Sequence, residues 1–171
     1  MARCQTPPVT SRRLALVRHA QAADAPVDAD RPLSTLGVRR AATIGAWLTD
    51  RRFSPDLVVV SPARRTLQTW EHAGGGPAVV EPRLYVNTVE ALLTVLAETP
   101  DDVRQLVVVG HNPSVSELAA LLDDGQGPAA ARRQVDAGFP PGGVALFTLG
   151  SFQGLAPGAA RLDDAAVPGA D

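Results

Sequence analysis

The sequence predicts an α/β fold, a three-layer α/β/α sandwich around a mostly parallel sheet, on three observations. Short unbroken apolar runs recur at Leu14–Val17, Leu57–Val60 and Leu106–Val109, as expected of parallel strands covered on both faces. Segments with apolar residues at helical spacing alternate with them, the pattern of βαβ units. The chain, 171 residues and 45% hydrophobic, is also long enough to bury one sizeable core.

The elements follow in order. Residues 1–12 read as a loose lead-in with Pro7-Pro8 and few apolar groups, and Leu14–Val17 is the first strand. Residues 20–33 form a loop rich in Ala, Asp and Pro. Ser34 is placed to cap a helix reaching Leu48, with Ala41, Ile44 and Leu48 on one face. Asp56–Val60 is the second strand. A helix over Pro62–His72 follows, ended by Gly74-Gly75-Gly76-Pro77, and a short strand falls near Ala78–Val80. Val89, Leu92, Leu93 and Leu96 mark an amphipathic helix, and Gln105–Val109 is the next strand. The following helix begins either at Asn112-Pro113, with proline in its first turn, or at the capping box Ser114-x-x-Glu117. Its apolar face is Val115, Leu118, Ala119 and Leu122. Asp123–Gly142 has mixed charge and no period and is predicted as loop, and Gly143–Leu149 as the last strand. One domain over 13–154, with the lead-in 1–12 before it and a weakly ordered tail over 155–171, is the expected organisation.

Composition narrows the function. A net charge of −2 gives no basic footprint for nucleic acid, and Arg132-Arg133 is too short to make one. All sixteen basic residues are arginine, so no P-loop or Schiff-base lysine exists. A single cysteine, Cys4, allows no intrachain disulfide and fits a reducing compartment. Ser11-Arg12-Arg13-Leu14 has the look of a twin-arginine signal, but its apolar run is too short for one. No run is long enough to span a membrane. A cytoplasmic protein is expected.

Candidate chemistry sits at the strand exits. Arg18-His19-Ala20 follows the first apolar run, and Gly110-His111 follows Leu106–Val109. In open α/β sheets ligands bind beyond the carboxyl ends of the strands, so these two of the three histidines are expected to share one site. A metal site needs three or four ligands. The remaining histidine, His72, lies inside a helix, so a metal is disfavoured. Arginine favours an anion instead: Arg18 and the pair Arg64-Arg65 bring planar guanidinium groups that match phosphate oxygens, and the helix N-terminus after Asn112-Pro113 would add backbone donors. Neighbouring positive charge would keep His19 neutral and nucleophilic, while His111, protonated by a bound dianion, would hydrogen-bond the phosphoryl oxygens.

At these residues the chain resembles the histidine phosphatase superfamily, with its phosphoglycerate-mutase-like fold. The signature reads Leu16-Val17-Arg18-His19-Ala20, with alanine where glycine is usual. Ser61-Pro62-Ala63-Arg64-Arg65-Thr66-Leu67-Gln68-Thr69 matches a second motif, Val109-Gly110-His111-Asn112-Pro113 a third. With Asp30-Arg31-Pro32-Leu33-Ser34, these are most similar to the SixA-like phosphohistidine phosphatases, in consistent order over residues 13–150. The resemblance implies His19 as the nucleophile that carries a covalent phosphohistidine, and a phosphate pocket of Arg18, Arg65 and His111. It implies no metal or organic cofactor. It also implies a proton-donating glutamate after the second motif, for which Glu81 and Glu90 both stand in the right stretch without the usual context.

The resulting expectation is a metal-independent phosphatase acting on a phosphorylated substrate, with protein phosphohistidine favoured. Imidazole, whose conjugate acid titrates near about 6.5, needs less help to leave than an alkoxide. A phosphomonoesterase of small metabolites is the alternative among enzymes, ahead of a mutase. A non-catalytic phosphate- or phosphopeptide-binding domain is the alternative of another class. Arg64, His72, Trp47 and Trp70 read as surface or packing residues, and Asp30-Arg31 as a loop salt bridge or part of the pocket entrance.

Overall fold

The computed structural model describes residues 11–169. Residues 1–10, with Cys4 and most of the expected lead-in, and residues 170–171 lie outside the described residues. The elements are β1 (Arg12–Arg18), α1 (Thr35–Asp50), β2 (Leu57–Val60), α2 (Arg64–Ala73), β3 (Val79–Val80), α3 (Val89–Ala97), β4 (Gln105–Gly110), α4 (Ser114–Leu122), α5 (Ala129–Asp136), β5 (Val144–Leu149) and β6 (Ala160–Ala166). Short 3-10 turns lie at Asp28–Asp30 and Pro82–Val86.

One sheet runs in the order β3-β2-β4-β1-β5-β6. The first four of these strands are parallel to their neighbours, whereas β5 runs antiparallel to β1 and β6 antiparallel to β5. Pleating sends successive side chains to opposite faces, and the apolar runs supply both. Leu14 and Leu16 of β1, with Leu106 and Val108 of β4, pack against Leu92 and Leu96 of α3 and Leu118 and Leu122 of α4. Ala15, Val17, Val107 and Val109 face the other way, onto Ile44 and Leu48 of α1 and Ala73 of α2. Each large aliphatic side chain so buried contributes about 1.5–3 kcal/mol, which is why the strands carry no polar alternation.

Local signals place the helices. The Ser34 hydroxyl accepts from the Gly37 N–H and starts α1, and Thr88 does the same for α3 through the Ala91 N–H. The α1–α2 crossing is close enough to require a glycine: a Cβ on Gly45 would lie 1.6 Å from the Ala73 carbonyl oxygen. Helix α2, which carries Arg65, is thereby seated on α1 backbone to backbone.

Three segments depart from the sequence expectation. Residues 129–136, expected as loop, form α5: Ala129-Ala130-Ala131 favours helix intrinsically, but Ala131 and Val135 are its only buried anchors, too few to register as a period. The tail after Gly154, expected to be weakly ordered, contains β6, which pairs with β5 along its length and buries Ala160, Leu162 and Ala165. Alanine and aspartate are poor strand formers, so ARLDDAA hides its strand, which is held by tertiary contacts. Asp164 accepts from Arg51 at 2.6 Å and Asp163 from the Thr148 hydroxyl at 2.6 Å. Helix α4 starts at Ser114, with Pro113 preceding it, and without a capping box: the Ser114 hydroxyl donates to the His111 carbonyl instead.

Candidate active site

Strand register builds the site. Arg18 of β1 lies opposite Gly110 of β4, and Val109 of β4 opposite Val60 of β2. The residues one step further, His19, His111 and Ser61, therefore meet at the carboxyl edge of the sheet. The His19 N–H donates to the Gly110 carbonyl at 3.1 Å, and the imidazole centroids of His19 and His111 are 5.3 Å apart. Both histidines are buried. They line an open cleft of about 600 Å³ together with Arg18, Arg31, Arg65, Asp28, Tyr85, Asn87 and Asn112.

Hydrogen bonds set the tautomers of both rings, and burial keeps the rings neutral. A carbonyl oxygen only accepts, so His19 Nδ1–H donates to the Ala20 carbonyl at 2.8 Å, which leaves Nε2 with its lone pair. Arginine only donates, so the Arg65 guanidinium at 3.4 Å makes His111 Nδ1 an acceptor, and His111 Nε2–H donates to the buried Ser61 hydroxyl at 2.7 Å. Burial, more than the neighbouring arginines, lowers His19 to a pKa of about 4. Burial followed by His19 and Arg65 lowers His111 to about 3. The sequence had attributed the neutrality of His19 to adjacent positive charge; desolvation is the larger cause.

The arginines arrive from separate elements. Arg65 is buried in the first turn of α2 and donates to the Asp28 carbonyl at 2.7 Å and its carboxylate at 3.1 Å. Arg64 is exposed and does not line the cleft. Arg18 is clasped by the segment before β5: its guanidinium donates to the Phe139 carbonyl at 2.7 Å, and its N–H to the Gly143 carbonyl at 2.9 Å. Gly142 N–H donates to the His19 carbonyl at 3.0 Å, and the Asn112 amide also donates to Phe139, at 2.7 Å. Ala20, in place of the usual glycine, donates its N–H to Thr69 Oγ1 at 3.0 Å. Among the described residues, positive φ outside glycine occurs at Arg52 and Asn87 alone, so the extra methyl brings no backbone strain.

Several expectations are corrected here. The first two donors of the helix N-terminus expected to serve an anion are already taken: Ser114 N–H donates to Asn87 Oδ1 and Val115 N–H to the His111 carbonyl. Glu81 does not line the cleft; two hydrogen bonds from Arg83, at 2.9 and 2.8 Å, hold it ionised with a pKa of about 2. Glu90 is exposed in the first turn of α3 and also lies off the cleft. Arg31 pairs with Asp28 at 3.5 Å and Asp24 at 3.7 Å, not with Asp30. Sequence reading missed Asp28, Tyr85 and Asn87. Asp28 stands two positions before the Asp30-Arg31 pair that had drawn notice, but nothing in its spacing pointed across to Tyr85.

The buried neutral histidines give a direct pH prediction. Their folded pKa values lie below the unfolded value of about 6.5, so between about pH 6.5 and 4 the unfolded chain binds protons that the folded chain does not. Stability is therefore complete above about pH 6.5 and declines as pH falls towards 4. Urea midpoints measured in phosphate-free buffer at pH 7, 5.5 and 4.5 are expected to fall steadily, and less steeply for His111→Asn. A flat profile would refute the neutral assignment.

A carboxyl-edge site with two histidines and a buried arginine suits an enzyme that handles phosphoryl groups, and the comparisons make the class specific. The family model for the histidine phosphatase superfamily (branch 1) matches residues 14–85. The chain is 36% identical over 157 residues to an uncharacterised Mycobacterium tuberculosis protein, covering 89% of this chain and 99% of that one. It is 35% identical over 123 residues to the phosphohistidine phosphatase SixA of Escherichia coli, covering 66% of this chain and 75% of the relative. Among solved structures, a provisionally assigned phosphohistidine phosphatase SixA from Nakamurella multipartitia superposes with a TM-score of 0.82 at 31% identity, covering 94% of this chain and 98% of that chain. The protein histidine phosphatase SixA complexed with tungstate superposes with a TM-score of 0.67 at 27% identity, covering 90% of this chain and 95% of that one. The chain is a phosphatase, a hydrolase of phosphate compounds. It belongs to the histidine phosphatase superfamily and is SixA-like within it.

Proposed function

We propose that the chain is a metal-independent, cytoplasmic phosphatase that works through a covalent phosphohistidine at His19 and acts on phosphohistidine in a protein. The observation that carries this reading is the free Nε2 lone pair of a buried, neutral His19 in a cleft walled by Arg18, Arg31 and Arg65. Guanidinium groups repel a metal cation and attract a phosphoryl dianion.

In the proposed reaction His19 Nε2 forms a bond to phosphorus as the bond from phosphorus to the leaving nitrogen breaks; the electron pair departs with that nitrogen, and the substrate ring, already protonated at its other nitrogen, leaves as neutral imidazole. Water then attacks phosphorus, the His19 N–P bond breaks and inorganic phosphate is released, restoring neutral His19. Arg18 and Arg65 neutralise the non-bridging oxygens throughout. The bound dianion draws Arg65 off His111 Nδ1 and raises the His111 pKa, so that this ring becomes a donor to the phosphoryl group.

The leaving group follows from the acids at hand. Among the described residues the one carboxylate lining the cleft, Asp28, is held ionised with a pKa of about 2 by the Tyr85 hydroxyl and Arg65. An alkoxide strongly needs a proton donor to leave, whereas a protonated imidazole does not. The name of the Escherichia coli relative supports the same substrate class.

The test has two stages. Hydrolysis of a generic aryl phosphate is expected to continue unchanged in excess chelator; loss of activity with chelator would overturn the mechanism. A phosphohistidine protein is then expected to exceed sugar phosphates and phosphoglycerates in kcat/KM by at least about a hundredfold. Equal rates across the panel would favour a metabolite phosphatase.

A further inference from the structure

The cleft carries an internal anion. Asp28, from the 3-10 turn in the loop after β1, sets its carboxylate against the Arg65 guanidinium at 3.1 Å and within 3.5 Å of Arg31. It is tethered from across the cleft: the Tyr85 hydroxyl, on the turn before α3, donates to the same carboxylate oxygen at 2.6 Å. Tyr85 also stands edge-on to His111 with ring centroids 5.7 Å apart. Arg65 is almost wholly buried, its side chain 8% exposed, while the Asp28 side chain is 56% exposed. The carboxylate thus sits on the solvent side of the arginine, at the mouth.

Arg65 ties Asp28 to the pocket: the guanidinium nitrogen that holds the Asp28 carboxylate also reaches His111 Nδ1, at 3.4 Å. A group attached to a phosphoryl held at the histidines must therefore share the cleft with this carboxylate. The carboxylate can accept hydrogen bonds but not donate them; Tyr85 and Arg65 share Oδ2, and Oδ1 faces Arg31 at the longer distance of 3.5 Å.

We propose that Asp28, tethered by Tyr85, is a specificity-determining residue that selects substrates by the charge of the group attached to phosphorus. It favours leaving groups that carry a positive charge or an N–H donor, such as protonated imidazole, and rejects those bearing a carboxylate or second phosphate. The proposal rests on the placement of the phosphoryl group argued above. It adds a substrate class: phosphoramidates on cationic or donor-rich protein surfaces, and not polyanionic metabolites.

The test uses three aryl phosphates alike but for a neutral, carboxylate or aminomethyl substituent on the ring, so that charge is read apart from P–N chemistry. The wild-type chain is expected to prefer the ammonium-bearing substrate to the carboxylate by about tenfold or more in kcat/KM, the size of a unit-charge interaction across a few ångströms of solvated cleft. That ratio should shrink as salt is raised, because the carboxylate is exposed. Asp28→Asn should bring it close to one, and Asp28→Glu should retain part of it. If Asp28→Asn misfolds, Tyr85→Phe, which frees the carboxylate without removing its charge, should keep the sign of the preference. A ratio unchanged in Asp28→Asn, or an equal fall for all three substrates, would overturn the proposal. Failure of the phosphohistidine reading shows up separately, as no advantage for a phosphohistidine protein while the charge ratio persists. Failure of the site itself shows up as hydrolysis of all three by His19→Ala.

Discussion

Replacing His19 by alanine is expected to lower kcat by at least about a thousandfold, because removing a covalent nucleophile removes the whole two-step route. The change should leave the fold intact: His19 lies beyond the last residue of β1, and its backbone N–H bond to Gly110 does not need the ring. No other imidazole can take over: with substrate bound the proposed state of His111 is a protonated donor, its Nε2–H is given to Ser61, and His72 does not line the cleft. Brief incubation with a radiolabelled substrate and an alkaline quench should trap label on the wild-type chain as an acid-labile phosphoramidate, and none on His19→Ala. His111→Ala should still label, more slowly, because its ring assists transfer without forming the bond. Label retained on His19→Ala, or lost only in His111→Ala, would reverse the assigned roles.

The second large effect is expected at Arg65. Arg65→Ala should reduce kcat/KM by about a hundredfold to a thousandfold, the range for removing one preorganised donor to developing charge. Arg65→Lys should recover little, since an ammonium cannot reproduce a planar fork that serves Asp28 and the substrate from one buried position. Arg64→Ala, one residue away and exposed, is the control and should behave as wild type. The measurement is steady-state kinetics with an aryl phosphate, with thermal melts to show that α2 still docks. Comparable losses at Arg64 and Arg65 would mean that the motif register is misread.

The sequence made most of the fold and the positively charged half of the site legible, for physical reasons. Parallel strands covered on both faces must be continuously apolar, so Leu57–Val60 and Leu106–Val109 stand out, and their ends mark where ligand-binding residues emerge. His19, Arg65 and His111 each sit within a few residues of such an end. The less visible parts depend on contacts between distant segments. Helix α5 has two buried anchors, and β6 is an Ala- and Asp-rich strand that pays its way only once β5 is beside it. The Asp28–Tyr85 bond joins two turns that no periodicity connects. The N-terminus of α4 was read as an open anion site because sequence shows the start of a helix but not that Asn87 would fill it.

The clasp on Arg18 and His19 has a consequence for the order in which the enzyme comes to life. The nucleophile and its flanking guanidinium are held by Phe139, Gly142 and Gly143, in a stretch that leads into the antiparallel strand beside β1. A ribosome-bound chain synthesised as far as His111 already carries Arg18, His19, Arg65 and His111, yet lacks the residues that clasp Arg18 and His19. Domains fold as units as the chain emerges, so a chain that stops short of Phe139 is expected to lack an ordered Arg18 and to hydrolyse an aryl phosphate far more slowly than the full chain.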